Sequence, residues 1–148
     1  MDCNQAIRVK PREARAYNDR AVAYPKLGQL DEAIRDFTRS LQLDSENAQS
    51  RANRGNAYLL QGKHSEALAD YSQAVDFEPK YASAYSMLRG HVEVARGNFR
   101  QAIADYAVAL ALDPFNRAAR SAQEEAREHL NSDFEVAAPA ENVAQPPR

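Results

Sequence analysis

The chain has no tryptophan, one cysteine, five glycines and no long apolar run. Each scarcity excludes something. With Cys3 alone there is no intrachain disulfide and no thiolate metal cluster, and the redox compartment stays open. The glycines stand apart, so no phosphate-cradling glycine loop exists. Nothing approaches the ~18 consecutive apolar residues of a membrane helix, and the opening "MDCNQAIRVKP" lacks the apolar centre of a signal peptide. The expectation is a chain with neither span nor leader, cytoplasmic if Met1 is its natural start. Excess charge is also missing: 19 basic and 21 acidic residues leave a formal −2, which gives no field to gather nucleic acid or an anionic membrane.

Alanine is plentiful, with 28 of 148 residues, and 44% of the chain is hydrophobic, a composition suited to closely packed helices. The order of the residues is more informative still. Gly28 opens "GQLDEAIRDFTRSLQLDS", Gly62 opens "GKHSEALADYSQAVDFEP" and Gly97 opens "GNFRQAIADYAVALALDP". A shift of 34 residues lays Arg20 on Arg54, Ala21 on Gly55, Tyr24 on Tyr58, Ala33 on Ala67 and Phe37 on Tyr71. Repeats of this length build stacked arrays. The units run 14–47, 48–81 and 82–116, the last with its glycine 35 residues after Gly62, one more than the period.

Within a unit the apolar residues have helical spacing, as in Ala67, Leu68, Tyr71, Ala74 and Val75. The glycine lies between two such stripes, where a tight turn needs positive φ, and Pro79 and Pro114 end the second stripe. Each unit therefore reads as helix, turn, helix. The spacing Tyr17, Arg20, Ala21, Tyr24, then Ala33 and Phe37, closed in later units by proline, resembles the tetratricopeptide repeat. The fold that follows is an all-α, right-handed solenoid of three units. Residues 1–13 resemble the end of a second helix and form a half-unit, 116–130 a capping helix, and 131–148 a disordered tail rich in proline.

Candidate chemistry is thin. His64, His91 and His129 lack any spacing that brings two imidazoles to one metal, and Cys3 has no histidine near it in sequence, so no catalytic residue, metal or cofactor is assigned. Arg20 and Asp36, Arg54 and Asp70, and Arg89 and Asp105 are each 16 residues apart. Residues placed alike in three hairpins fit ion pairs across the turn rather than one active site.

What the resemblance implies is a concave groove lined by the first helix of each unit. The residues it points there are Arg15, Asn18, Asp19, Val22 and Lys26 from unit one, Gln49, Asn53, Asn56 and Leu60 from unit two, and Met87 and His91 from unit three. The function that follows is a protein-interaction module holding a protein, a peptide or a partner helix, with exposed terminal helices open to self-association. A second class of reading makes the array a regulatory or targeting part of a larger enzyme or secretion component. Relatives that clamp a chaperone's C-terminal carboxylate use lysine, arginine and asparagine at positions held here by Asn18, Val22, Asn53, Ser83 and Met87, of which Asn53 alone matches. Two local expectations complete the reading. Pro25 should stop the first helix early, and the extra residue of unit three should open a π-bulge around Met87 to Gly90.

Overall fold

The computed structural model describes residues 2–10 and 12–137, apart from the side chains of Lys26 and Leu27. Among the described residues there are eight α-helices and no strand. They are α1 (Cys3–Val9), α2 (Ala14–Ala23), α3 (Leu30–Leu43), α4 (Ala48–Leu60), α5 (His64–Phe77), α6 (Ala82–Ala95), α7 (Phe99–Leu112) and α8 (Arg117–Ala137). Each packs on the next along the chain, so the hairpins α2–α3, α4–α5 and α6–α7 stack into a right-handed solenoid, with α1 against α2 at one end and α8 against α7 at the other.

Gly28, Gly62 and Gly97 turn the hairpins at φ 72°, 73° and 76°. That left-handed conformation excludes most side chains, which is why the same residue recurs at each turn. Phe37, Tyr71 and Tyr106 fill the hairpin centres at 2%, 0% and 1% exposure, over small residues such as Ala21, Ala52 and Ala102. Alanine lets helix axes approach closely, and the large ring fills what remains.

At the first turn, α2 stops at Ala23 and the chain continues as a 3-10 turn through Tyr24–Leu27. The helix in the same place in unit two runs on to Leu60. Pro25 has no N–H to give the Ala21 carbonyl, so the helix cannot continue through it.

The π-bulge expected in unit three does not form. α6 is a regular helix of 14 residues against 13 in α4. The added residue lengthens α6 at its entry, through a 3-10 turn at Pro79–Tyr81. Growth at a helix end keeps every internal hydrogen bond and leaves the packed far end in register, whereas a bulge disturbs both. One capping contact is lost in exchange. Asn47 Oδ1 accepts from Ser50 N at 2.8 Å and Asn116 Oδ1 from Ala119 N at 3.0 Å, but Tyr81 offers α6 no such cap.

The boundary expected at Asn131 also moves. α8 continues to Ala137, because no glycine or proline interrupts "NSDFEVA". Arg100 lies 5.5 Å from the Phe134 ring centroid, and Ser132 Oγ donates to Glu128 O at 2.9 Å. Ala119, Gln123 and Ala126 are the buried residues of α8, and Gln123 Nε2 donates to Ile103 O at 3.0 Å. The remainder of the expected tail lies outside the described residues.

Candidate functional site

The three repeated ion pairs form. Arg20 and Arg54 each grip both oxygens of Asp36 and Asp70, the outer nitrogen at 2.8 Å in each case. These bonds hold both guanidinium groups firmly in the charged form. Arg89 reaches Asp105 Oδ1 at 3.0 Å, and Asp105 Oδ2 is buried with no hydrogen-bond partner. Burial pushes the Asp105 carboxyl above the usual carboxylate range, against the opposing pull of Arg89 and Gln101. These groups bind helix to helix.

Asn18, expected in the groove, accepts from Ser50 Oγ at 3.0 Å, and Ser50 shares a buried hydrogen bond with Ser40 at 3.2 Å. That chain ties unit one to unit two. Arg15 and Asp19 stay in solvent as a loose pair at 3.7 Å. Val22 is 44% exposed and Leu60 67% exposed. Along α4, Gln49 Nε2 donates to Asn53 Oδ1 at 3.1 Å, and Asn56 Oδ1 accepts from the Tyr71 hydroxyl at 2.5 Å. Amide groups thus recur on successive turns of one helix face. The Lys26 side chain lies outside the description.

Met87 and His91 of α6 turn toward α7 and α8. Met87 packs by the cluster of Ala102, Tyr106 and Ala126, with Asn116 Nδ2 3.9 Å from its sulfur. The His91 ring meets Tyr106 edge to face, with centroids 5.7 Å apart. Beside them is a cavity of about 210 Å³, with Val94, Ala122 and Ala126 on its apolar side and His91, Tyr106, Glu125 and His129 as its polar groups. Burial lowers the basicity of His91 and pushes the Tyr106 hydroxyl up to about 12. Among the described residues no three His, Cys, Asp or Glu side chains are placed to hold a metal.

Sequence reasoning missed Tyr106 and Glu125, and weighed His129 only as a metal ligand. A trace of them was there: where unit one has Ala21 and Phe37, unit two has Gly55 and Tyr71, and unit three has Gly90 and Tyr106. Ring hydroxyl and missing methyl change together.

Stacked antiparallel helix hairpins with glycine turns and a 34-residue period define a helical repeat protein. A family described as TPR repeat matches residues 24–62 and 55–88, and the chain belongs to the tetratricopeptide repeat family. The solved second TPR domain of human RPAP3, in complex with the HSP70 peptide SGPTIEEVD, is 31% identical over 78% of this chain and 95% of that one, with a TM-score of 0.71. The first TPR of Spaghetti (RPAP3), bound to the HSP90 peptide SRMEEVD, is 28% identical over 80% and 94%, with a TM-score of 0.73. An Hsp70-Hsp90 organizing protein of Triticum aestivum is 44% identical over 41 residues, which are 28% of this chain and 7% of that protein. The chain therefore matches a small part of that relative's length.

Proposed function

We propose that the solenoid is a non-enzymatic interaction module that holds an extended peptide or a partner helix along α2, α4 and α6. The observation that carries this reading is the face of α4. Gln49, Asn53 and Asn56 present amides one turn apart, which suits the alternating donors and acceptors of a peptide backbone, and Leu60 adds exposed apolar surface beyond them. Two similar domains were solved with peptides, which supports the same use of the fold. A packed array is already ordered, so the cost of ordering falls on the peptide.

The peptide differs in chemistry from SRMEEVD and SGPTIEEVD. None of Asn18, Val22, Asn53, Ser83 and Met87 is cationic, Asn18 is engaged by Ser50, and Met87 is half-buried. An acidic C-terminus would lose water there and gain no counter-charge. Selection from a random peptide library, followed by anisotropy titration, tests the reading. Selected peptides should lose about tenfold or more in affinity for the Asn53→Ala/Asn56→Ala double variant. SRMEEVD binding below about 10 μM would sink the exclusion of acidic termini. A hydrolase or transferase activity lost on Asp70→Asn would overturn the module itself.

A further inference from the structure

We propose that the cavity between α6, α7 and α8 is a pocket for one basic side chain, lysine or arginine, carried by the bound peptide. The inference rests on the groove reading only in that a peptide delivers the side chain.

The three repeats solve the same position in three ways. In unit one the buried ring is Phe37, which has no hydroxyl, and the residue after Ala21 is Val22. In unit two Tyr71 donates its hydroxyl to Asn56, the residue after Gly55. In unit three the residue after Gly90 is His91, which meets the Tyr106 ring edge to face and takes no hydrogen bond from it. Tyr106 is 1% exposed, and among the described residues its hydroxyl has no hydrogen-bond partner. The ring is packed away, while the hydroxyl is not among the buried polar atoms that lack a partner and so stays open to the space beside it. Here it borders a cavity of about 210 Å³, a volume equal to about seven waters at ~30 Å³ each in the liquid.

The other walls say what would satisfy it. Glu125 is acidic, and among the described residues its hydrogen bond is the one from Ser121 Oγ at 3.3 Å. Among the described residues no lysine or arginine lines the cavity. Burial keeps His91 neutral at neutral pH, so it does not repel a cation. Glu125 accepts charge-assisted hydrogen bonds, the Tyr106 oxygen accepts one more, and Val94 and Ala126 take an aliphatic stem. An anion would meet the Glu125 carboxylate, with no lysine or arginine among the described lining residues to offset it.

The test is titration of the isotope-labelled full chain with N-acetyl-arginine amide, N-acetyl-glutamate amide and N-acetyl-norleucine amide, followed by amide shifts at His91, Val94 and Ala126. The arginine probe should give saturable shifts at millimolar concentration and the other two none. Glu125→Gln should weaken it about tenfold. Tyr106→Phe should weaken it several-fold and keep the fold, because Phe37 already stands in that place in unit one. No response to the arginine probe, an equal response to norleucine or glutamate, or an affinity indifferent to Glu125→Gln would each overturn the pocket. Library-selected peptides that bind wild type and Glu125→Gln alike would end this inference and leave the groove standing. Arginine-probe shifts in a protein that enriches no peptide would do the reverse.

Discussion

Gly55 and Tyr71 are cut to one another: a Cβ on Gly55 would lie 2.9 Å from Tyr71 Cε1, closer than such atoms approach. Gly90 meets Tyr106 more tightly still. In unit one the smaller ring Phe37 is paired with Ala21, which is fully buried.

Gly55→Ala and Gly90→Ala should therefore destabilise, although alanine in a helix is ordinarily favoured over glycine by about 1 kcal/mol. Overpacking sets the sign. We expect a loss of about 1–3 kcal/mol in urea denaturation, larger at Gly90. Removing the hydroxyl by Tyr106→Phe should not rescue Gly90→Ala, because ring carbons make the contact. A stabilised Gly90→Ala would refute the account.

The ion pairs should rank by burial. Arg54 and Asp70 are 17% and 5% exposed, Arg15 and Asp19 84% and 50%. Arg54→Ala leaves a buried carboxylate unpaired and should cost about 3 kcal/mol, against less than about 0.5 kcal/mol for Arg15→Ala. Equal midpoints for the two variants would refute this.

Asp105 should behave unlike Asp70. Its raised folded-state pKa means that its contribution is greatest below the unfolded value near ~3.9 and is lost as pH rises through the folded value. At neutral pH the ionised carboxylate carries a buried, unpartnered oxygen. Asp105→Asn should thus cost less at pH 7 than Asp70→Asn, and the difference should narrow as the solution is acidified. The opposite order in denaturation midpoints would count against it.

His91 adds the reverse dependence. Its pKa is lowered by burial, so its contribution is present above the unfolded value near ~6.5 and is lost as pH falls through the folded one. Glu125, His129 and Tyr106 share its cavity. Between pH 7.5 and 5 the melting temperature of His91→Gln should fall less than that of wild type, and parallel curves would exclude His91 as the source.

Truncation should separate the two parts of α8. All of 131–137 is exposed, whereas Ala119, Gln123 and Ala126 are buried, and Ala122 and Ala126 pack with Tyr106 and Ala102. Ending the chain after Leu130 should move the melting temperature by a few degrees at most. Ending it after Asn116 should abolish cooperative melting, because the centre of unit three would face water.

The repeat, the glycine turns and the 16-residue ion pairs were legible because each depends on spacing along one chain, and spacing survives in sequence. Pro25 was legible because its effect is local. The extra residue in unit three was not, since a bulge inside α6 and an added residue at its entry leave the same glycine spacing, and only packing at Gly90 separates them. The end of α8 was misplaced because "NSDFEVA" is neutral between helix and coil until Arg100 meets Phe134. The cavity was invisible for a similar reason. His91 and Glu125 are 34 positions apart on α6 and α8, and nothing local announces that they meet.

The missing cap at Tyr81 gives the array a grain. The first turns of α4 and α8 are capped by asparagine, at Asn47 and Asn116, and that of α6 is not. The entries to the three helices are therefore not equivalent: α4 and α8 begin with an amide held on a side-chain oxygen, and α6 begins without one. The Ala84 amide, which stands where the capped Ser50 amide stands in α4, would then be the first of its kind to trade its proton with water.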